Sequence, residues 1–293
     1  MDRLAPYLFV FLWSTGFIGA RYGLPHAEPL TFLLVRYAIV IALMAAAAAI
    51  GGAPWPRELR LGVHIGIAGL LVHGLYLGGV FVAISRGLPA GVTSLVVGLQ
   101  PVLAAAGAGL LLGERTTARQ WIGLLLGFAG VALVLSGKLG LGPSSRPVLP
   151  LLVPAFLALG GITLGTLYQK RFCPAFDLRT GAVIQFSAAA LATLPVAAAT
   201  ESFRVDWSGP FLFALGWLVL VLSLGAISLL NLLIRRGTAV NVARLFFLVP
   251  PATSLLAFAL FGETLRGAAL AGMGLAVAGV YLARSPPARA PGR

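Results

Sequence analysis

The sequence predicts an all-α polytopic membrane protein whose ten transmembrane helices form two inverted five-helix repeats. Three observations support this fold class. The chain is 59% hydrophobic and only 10% charged, a balance that soluble globular domains do not have. Its apolar residues fall into ten runs, each close to the ~20 residues needed to cross a bilayer. In addition, the first half of the chain recurs in the second half at a fixed offset of 149 residues.

The ten predicted spans are separated by short stretches rich in Gly, Pro and Ser, which favour turns. The spans lie at residues 5–22, 30–50, 61–83, 91–112, 119–137, 149–169, 179–199, 210–233, 238–261 and 266–283. Thr117 and Gln120 fit a capping box at the start of the fifth helix. The first run has no convincing cleavage site after it, so we interpret it as a retained helix rather than a signal peptide.

The repeat is clearest in residues 90–138, which align without a gap on the stretch that begins 149 residues later. Pro101 aligns with Pro250, and Glu114 aligns with Glu263 within a Gly-Glu pair. The same offset extends over the whole chain, and it therefore indicates duplication of a complete five-helix unit rather than a recurring local motif.

The duplication divides the chain into four parts. Residues 1–138 are the first repeat with helices 1–5, 139–148 an outside linker, 149–284 the second repeat with helices 6–10, and 285–293 a disordered cytoplasmic tail. Because five is an odd number, the second repeat crosses the membrane in the opposite sense. Inverted repeats are typical of secondary transporters, whose substrate site lies near the bilayer midplane between the halves. A duplicated channel or a membrane scaffold is the alternative.

The net charge of +13 comes mainly from Lys and Arg residues at the ends of the predicted spans. Basic residues occur singly or in pairs between apolar runs, as membrane-flanking charges do, and so they do not indicate a nucleic-acid partner. Loops on one side hold thirteen Lys and Arg residues, whereas loops on the other side hold six. The positive-inside rule therefore predicts a protein of the cytoplasmic (inner) membrane with both termini in the cytoplasm.

Several ordered motifs occur once in each half. Each half has a proline-bearing helix (Pro101 and Pro250), a Gly-Glu pair at its end, and a final helix with the pattern G…G-V. Together with the Leu-Trp-Ser-Thr-Gly-Phe segment at 12–17, these motifs resemble the EamA domain, the repeat of the drug/metabolite transporter superfamily. The resemblance covers nearly the whole chain, and it implies a ten-helix carrier that exports small metabolites, amino acids or drugs. The start of the chain is similar to that of YddG-type amino-acid exporters, although Gln100 stands where the aromatic exporters carry a tryptophan.

The third helix supplies the first candidate substrate-binding residues, because polar side chains inside a membrane are costly and usually functional. His73 and Tyr76 are three residues apart and share one helical face. Their equivalents in the second half are Leu222 and Gly225, and a shaped pocket would account for this difference between the halves. A hydrogen bond between helices is the alternative interpretation.

The fourth and ninth helices contribute a candidate ligand and two candidate hinges. Gln100 offers an amide donor and acceptor to a substrate cavity. Pro101 and Pro250 lack an N–H, so each interrupts the helical hydrogen bonds and can act as a hinge. A simple structural kink is the alternative for both prolines.

Trp13 and Arg244 complete the predicted substrate site. Trp13 lies about midway along the first helix, where it can form an aromatic wall of a cavity. Arg244 lies about two turns into the ninth helix and can pair with a substrate carboxylate. For Arg244, and equally for Arg36 in the second helix, snorkelling of the side chain to the membrane surface is the alternative.

The remaining residue types limit the chemistry that the chain can carry. All eight acidic residues fall in loops or at span ends, which favours uniport or exchange over carboxylate-based proton coupling. If protons are coupled, His73 is the candidate titrating group. The sequence indicates no catalytic residues, no metal site, no phosphate loop and no cofactor. The predicted partners are a small-molecule substrate and the lipid bilayer, and a monomer is predicted, with a dimer as the alternative.

Overall fold

The structure is a computed structural model that describes residues 4–88, 93, 96–136, 148–236, 239–261 and 267–283. These ranges form ten helices, numbered here in chain order, and the only β-structure within them is an isolated bridge between Ala27 and Val205. The helices are α1 (Ala5–Gly23), α2 (Pro29–Ile50), α3 (Leu59–Ser85), α4 (Gln100–Leu112), α5 (Ala118–Ser136), α6 (Val148–Phe172), α7 (Leu178–Thr200), α8 (Gly209–Arg236), α9 (Ala239–Ala243, Arg244–Leu248 and Val249–Phe261) and α10 (Gly267–Leu282).

The all-helical membrane fold is confirmed, and one numbered helix lies in each predicted apolar run, although α4 covers only residues 100–112 of the predicted run 91–112. Five helices are long and apolar enough to cross a bilayer by themselves: α2, α3, α6, α7 and α8. Helices α4, α5 and α10 are apolar but shorter. The count of ten spans therefore stays a prediction, as do the predicted repeat boundaries. The linker 139–147 and the tail 285–293 lie outside the described residues.

The helices of the two halves recur at the offset seen in the sequence. Helix α1 ends at Gly23 and α6 ends 149 residues later at Phe172, while α5 begins at Ala118 and α10 begins 149 residues later at Gly267. The packing is reciprocal as well. Helix α1 packs against α8 and α9 just as α6 packs against α3 and α4, and the equivalent pairs α2–α7 and α5–α10 pack against each other. This is the contact pattern of two halves related by a pseudo-two-fold axis.

Helices α3 and α8 contain the same irregularity. Residues Leu70–Leu77 of α3 and Leu218–Ala226 of α8 are π-helical, with backbone hydrogen bonds from i to i+5. Such segments are rare and are frequent at functional sites, because the wider turn changes which side chains face a neighbouring helix. His73 and Tyr76 lie in the first of these segments, and both are buried.

The predicted mid-helix position is wrong for Pro101, whereas Pro250 lies mid-way along α9, directly after its 3-10 stretch. Gly98 and Leu99 form a turn, α4 begins at Gln100, and Pro101 lies in its first turn. In α9 a 3-10 stretch precedes the α-helical part, and Pro250 again lies in the first turn of that part. A first-turn proline loses no helical hydrogen bond, so the chain is interrupted before the proline rather than at it. A hinge at this interruption stays a prediction.

Close helix packing depends on small residues, and the α5–α10 pair is the clearest case. A Cβ atom on Gly123 of α5 would lie 2.5 Å from the backbone nitrogen of Ala283, next to α10. A Cβ atom on Gly279 of α10 would likewise collide with the backbone of Gly127. Glycine stripes of this kind allow two helix backbones to approach each other in a membrane.

Acidic side chains hold the loops together at both ends of the bundle. At one end, the Glu201 carboxylate accepts hydrogen bonds from the N–H groups of Leu30 (2.8 Å) and Thr31 (2.7 Å) at the start of α2. At the other end, Asp177 caps α7 by accepting a hydrogen bond from the N–H of Arg179 (2.9 Å). The predicted capping box of α5 is confirmed, because Thr117 N–H donates to Gln120 and Gln120 N–H donates to Thr117.

Candidate functional site

A cavity of about 40 Å³ lies between the two halves of the bundle. Helices α1, α2 and α3 of the first half and α8 of the second half form its wall. The lining residues are Trp13, Gly16, Ala20, Arg36, Tyr76, Leu77, Val80, Phe81, Leu218, Leu222 and Ile227. The wall is therefore almost entirely apolar and aromatic, with a single cationic side chain. A cavity of this volume has room for about one water molecule, so a substrate has to widen it.

Arg36 provides that charge, and its environment is unusual. The side chain lies seven residues into α2 and is only 2% exposed. Its Nε donates a hydrogen bond to the Ser223 hydroxyl at 2.9 Å, and that hydroxyl donates to the Leu218 carbonyl at 3.2 Å. Within the described ranges no carboxylate pairs with Arg36. A buried cation without a counter-charge is costly, so Arg36 requires an anionic partner from outside the chain or a functional reason to be there.

Trp13 and Tyr76 form the aromatic part of the wall, and the structure brings these two predicted residues together. Their rings stack with centroids 6.2 Å apart and an interplanar angle of 12°. Phe9 and Phe246 contact Trp13 from the other sides, at centroid distances of 5.1 Å and 5.4 Å. Because Trp13 is fixed by neighbours from three helices, the cavity has a rigid apolar face opposite a single charge.

His73 lies beside this cavity rather than in its wall. Its imidazole is 0% exposed and stacks on Phe186 of α7, with centroids 4.0 Å apart. Among the described residues neither ring nitrogen has a hydrogen-bond partner. The backbone carbonyl of His73 accepts a hydrogen bond from the Tyr37 hydroxyl at 2.7 Å. His73 thus packs between α3 and α7, and the structure does not bring it into the cavity with Tyr76.

Gln100 lines a different and much smaller cavity of about 10 Å³, near the ends of α6 and α8. The side chain is buried, and its Oε1 lacks a hydrogen-bond partner in the described part of the chain. Lys170 lines the same cavity and donates from Nζ to the carbonyl of Ile234 at 2.8 Å. Gln100 is therefore not a neighbour of Trp13 and Tyr76, although it is a buried polar group with unused hydrogen-bonding capacity.

Arg244 is bound to backbone carbonyls of α9 and α10. Its Nε donates to the carbonyl of Asn241 at 3.2 Å, and its Nη1 donates to the carbonyl of Val280 at 2.9 Å. It lies in the 3-10 stretch of α9, and it lines neither of the two cavities described above. These contacts give Arg244 a structural role between the last two helices.

Sequence reasoning left Arg36 undecided and did not identify a chain of buried amides. Gln185 of α7 donates to Gln169 of α6 at 2.9 Å, and Gln169 donates to Asn231 of α8, also at 2.9 Å. Gln185 is the repeat equivalent of Arg36, 149 residues later, and each is the eighth residue of its helix. The alignment of the two halves could have identified this position, because it is polar in both copies: an arginine in the first and a glutamine in the second.

The comparisons with known proteins agree with this architecture. The chain is 30% identical to the uncharacterized transporter YvbV of Bacillus subtilis over 272 residues, which cover 90% of this chain and 85% of YvbV. It is 28% identical to a protein of Salmonella typhimurium named "probable amino-acid metabolite efflux pump", covering 96% and 94% of the two chains. A solved crystal structure with 23% identity has the same fold, with a TM-score of 0.79 and coverage of 96% and 95%. The profile of the EamA-like transporter family matches residues 4–136 and again 151–285, and the chain therefore belongs to this family.

Proposed function

We propose that this protein is a secondary transporter that exports amino acids or closely related carboxylates across the cytoplasmic membrane. The observation that carries the proposal is Arg36, a buried cation without an acidic partner among the described residues, in an aromatic-walled cavity between the two halves. The Salmonella relative, named for efflux of amino-acid metabolites, supports the same substrate class.

A carboxylate is the ligand that this cavity favours. The Nε of Arg36 is occupied by Ser223, which leaves the two terminal nitrogens for a bidentate pair with a carboxylate. Trp13 and Tyr76 offer aromatic faces to the rest of the substrate, including a cationic amino group, which such faces attract. An amino acid presents both charges on one carbon, and so it can use the arginine and the aromatic wall at the same time.

Alternating access follows from the duplicated architecture. Ten spans in two inverted repeats, with both termini in the cytoplasm, would place Arg36 in the outer half of the membrane and its equivalent Gln185 in the inner half. The cavity lies next to Arg36, whereas the equivalent position is closed by the Gln185–Gln169–Asn231 amide chain. A conformational change that closes the cavity beside Arg36 and opens the equivalent position beside Gln185 would move the access to the substrate site from one side of the membrane to the other.

Uniport or exchange is the coupling mode that the charges favour. Every acidic residue in the described ranges lies outside the helices: Glu28, Glu58, Glu114, Asp177, Glu201 and Asp206. Carriers coupled to protons or sodium ions usually place carboxylates at membrane depth. His73 is the remaining candidate for a proton, and its packing against Phe186 makes access to water depend on a conformational change.

Counterflow into proteoliposomes tests the proposal. Purified protein, with unlabelled amino acid trapped inside, should accumulate labelled amino acid saturably, and Arg36→Gln should weaken substrate binding at least about 30-fold because a buried charged contact is lost. Arg36→Lys keeps the charge without the bidentate geometry and should retain an intermediate affinity. Arg57→Gln, at an exposed arginine far from the cavity, is the matched control and should behave as wild type.

Three outcomes distinguish the alternatives. If the protein transports other organic anions but no amino acid, and this transport depends on Arg36, then the proposed substrate class is wrong and the proposed binding site is retained. Saturable transport that Arg36→Gln leaves unchanged would remove the site assignment. Flux that neither saturates nor responds to substrate inside the vesicle would contradict a carrier and indicate a channel.

A further inference from the structure

A second and larger cavity lies apart from the central one. It is a groove of about 690 Å³ that we call the α3–α7 groove, and it lies between helices α3, α6 and α7. Its rim includes the half-exposed side chains of Val153, Leu157 and Val196 on the surface of the bundle. In a membrane-spanning bundle an apolar surface of this kind faces lipid tails, so the groove opens to the bilayer.

The floor of the groove is a row of glycines on α3. Gly74, Gly78 and Gly79 line it, and a Cβ atom on Gly78 would find only the Leu30 side chain within 4 Å, at 3.9 Å. The missing side chain of Gly78 is therefore not required by close helix packing. It leaves open space that a guest molecule can fill.

Arg86 lines the same groove at the end of α3. Its side chain is exposed, and its guanidinium has no hydrogen-bond or ion-pair partner within the ranges that the structure describes. The nearest acidic group that contacts the groove's lining is Glu201, whose oxygens are occupied by the N–H groups at the start of α2. A cation at the mouth of an apolar groove is complementary to a molecule with one anionic head and an apolar tail.

The second half of the molecule provides an internal control. The repeat equivalent of Gly78 is Ile227, whose buried side chain lines the central cavity. The equivalent of Arg86 is Arg235, whose guanidinium donates to the carbonyl of Phe176 and lies 4.2 Å from the centre of the Phe176 ring. Neither the glycine nor the unpaired arginine recurs at the equivalent described positions of the second half, so the duplicated fold does not require them.

We propose that the α3–α7 groove binds one anionic glycerophospholipid of the bilayer, with its phosphate on Arg86 and an acyl chain along the glycines of α3. From Arg86 to Leu70 the groove follows sixteen residues, or roughly 24 Å at 1.5 Å per residue. One leaflet contributes about half of the ~30 Å hydrocarbon core, so the groove is long enough for a full acyl chain. Arg86 ends α3, where the headgroup layer is expected.

The bound lipid would contact helix α3, which also lines the central cavity, but it would not enter that cavity. Helix α3 alone separates the groove from the central cavity, since Gly78 and Gly79 face the groove while Tyr76 and Val80 face the cavity. An acyl chain in the groove would support the π-helical segment of α3 from outside. The binding site itself does not depend on which substrate the protein transports.

Native mass spectrometry of the full-length protein in detergent tests the proposal, with titration of phosphatidylglycerol and of phosphatidylcholine carrying the same acyl chains. Wild type should bind one phosphatidylglycerol at least about tenfold more tightly than phosphatidylcholine, because both lipids carry a phosphate but the choline cation of the second offsets its attraction to Arg86. Arg86→Gln should lose this preference, and Gly78→Leu should lose binding of both lipids because the leucine fills the groove. Val196→Phe, at the exposed rim, should also block the groove with little risk to folding.

Two control variants distinguish the groove from general attraction of lipid to a basic protein. Gly62→Leu places the same side chain on α3 at a glycine with open space around it and outside the groove, and Arg57→Gln removes an exposed charge elsewhere. Both should bind lipid as wild type does. Equal losses in Arg86→Gln and Arg57→Gln, wild-type binding in the two groove-filling variants, or no preference for phosphatidylglycerol in wild type would overturn the proposal.

Discussion

At the scale of single residues, Arg36 is held in place by a hydroxyl instead of a carboxylate. A fixed acidic partner would neutralise the guanidinium permanently and would compete with any anionic substrate. Ser223 orients the side chain through its Nε and leaves the charge uncompensated. Burial of that charge is unfavourable when the cavity is empty, so a carboxylate that enters regains part of the lost interaction energy. Ser223 is therefore a positioning residue for Arg36.

Ser223→Ala should raise the KM for substrate about tenfold and change the maximal rate little. The reason is that the variant removes one hydrogen bond to a charged group, typically about 1.5–3 kcal/mol, and frees the guanidinium to adopt unproductive orientations. Counterflow rates over a range of substrate concentrations give KM and the maximal rate separately. Ser223→Thr retains the hydroxyl and serves as the control, with KM close to that of wild type. A tenfold loss of maximal rate at unchanged KM would contradict the positioning role.

Residue positions within helices could be predicted from the sequence, but their neighbours could not. The sequence predicts Trp13 and Tyr76 as separate substrate-binding residues on α1 and α3, and the structure stacks their two rings. Arg36 remained ambiguous because its depth along α2 is consistent with either snorkelling or burial. Burial is favoured over snorkelling by the packing of α8, because this helix places Ser223, 187 residues away in the sequence, next to the guanidinium. The neighbour of His73 is set in the same way, since its ring stacks on Phe186 of α7 beside the cavity, and its role in substrate binding stays a prediction.

At the scale of elements, the helix ends are fixed by side chains of both halves. Asp177 caps α7 and also forms an ion pair with Arg179, with Nη2 and Oδ2 2.9 Å apart. The hydrogen bonds from the Arg179 side chain lower the pKa of Asp177 from 3.8 to about 2. A carboxyl whose pKa is depressed in the folded state stabilises that state above its ordinary pKa, and this contribution is lost as the pH falls from about 4 to about 2.

Asp177→Asn should therefore make the thermal unfolding midpoint less sensitive to pH within that window. The asparagine keeps an oxygen for the N-cap but removes the charge, so the variant should be less stable than wild type at pH 7 and equal to it near pH 2. Thermal unfolding in detergent at a series of pH values measures this difference. Glu58→Gln, at a described carboxylate that accepts no side-chain hydrogen bond or ion pair, is the control. A gap between wild type and Asp177→Asn that persists at pH 2 would show that the ion pair is not its cause.

Element existence was predictable because each apolar run is long, but irregularities within the runs were not. The π-helical segments of α3 and α8 contain no proline and no polar run that would reveal them. Their cause is tertiary, since Gly69 at the first segment packs directly on the backbone of Gln185 in α7. The breaks before Pro101 and Pro250 were likewise assigned to the prolines themselves. Proline is tolerated in a first turn, so the preceding turn and 3-10 stretch absorb the change of direction.

At the scale of the whole molecule, the two halves share one arrangement of helices but carry different polar residues at equivalent positions. Arg36 faces a cavity, whereas its equivalent Gln185 starts a closed amide chain that joins three helices. The two hydrogen bonds between these buried amides are favourable only while α6, α7 and α8 stay together, because separation must replace each bond with one to water or substrate. The amide chain is therefore suited to hold one side of the carrier shut.

Gln169→Leu should open that side, and the chain contains its own reporter. Cys173 is the sole cysteine of the protein, is 2% exposed, and lies one turn beyond Gln169, just past the end of α6. The variant leaves two buried amides without their partner, which typically costs about 1–3 kcal/mol in the closed state. We expect maleimide to label Cys173 about tenfold faster in Gln169→Leu than in wild type.

The control for this prediction replaces another buried amide, one that takes no part in the Gln185–Gln169–Asn231 chain. Gln120→Leu removes the capping box of α5 and should leave the labelling rate at the wild-type value. Circular dichroism at the labelling temperature separates opening from unfolding, since an opened carrier keeps its helical signal. If Gln169→Leu remains folded and Cys173 reacts at the wild-type rate, then the amide chain does not hold α6, α7 and α8 of the second half together, and the role of Gln185 as the counterpart of Arg36 would be structural only.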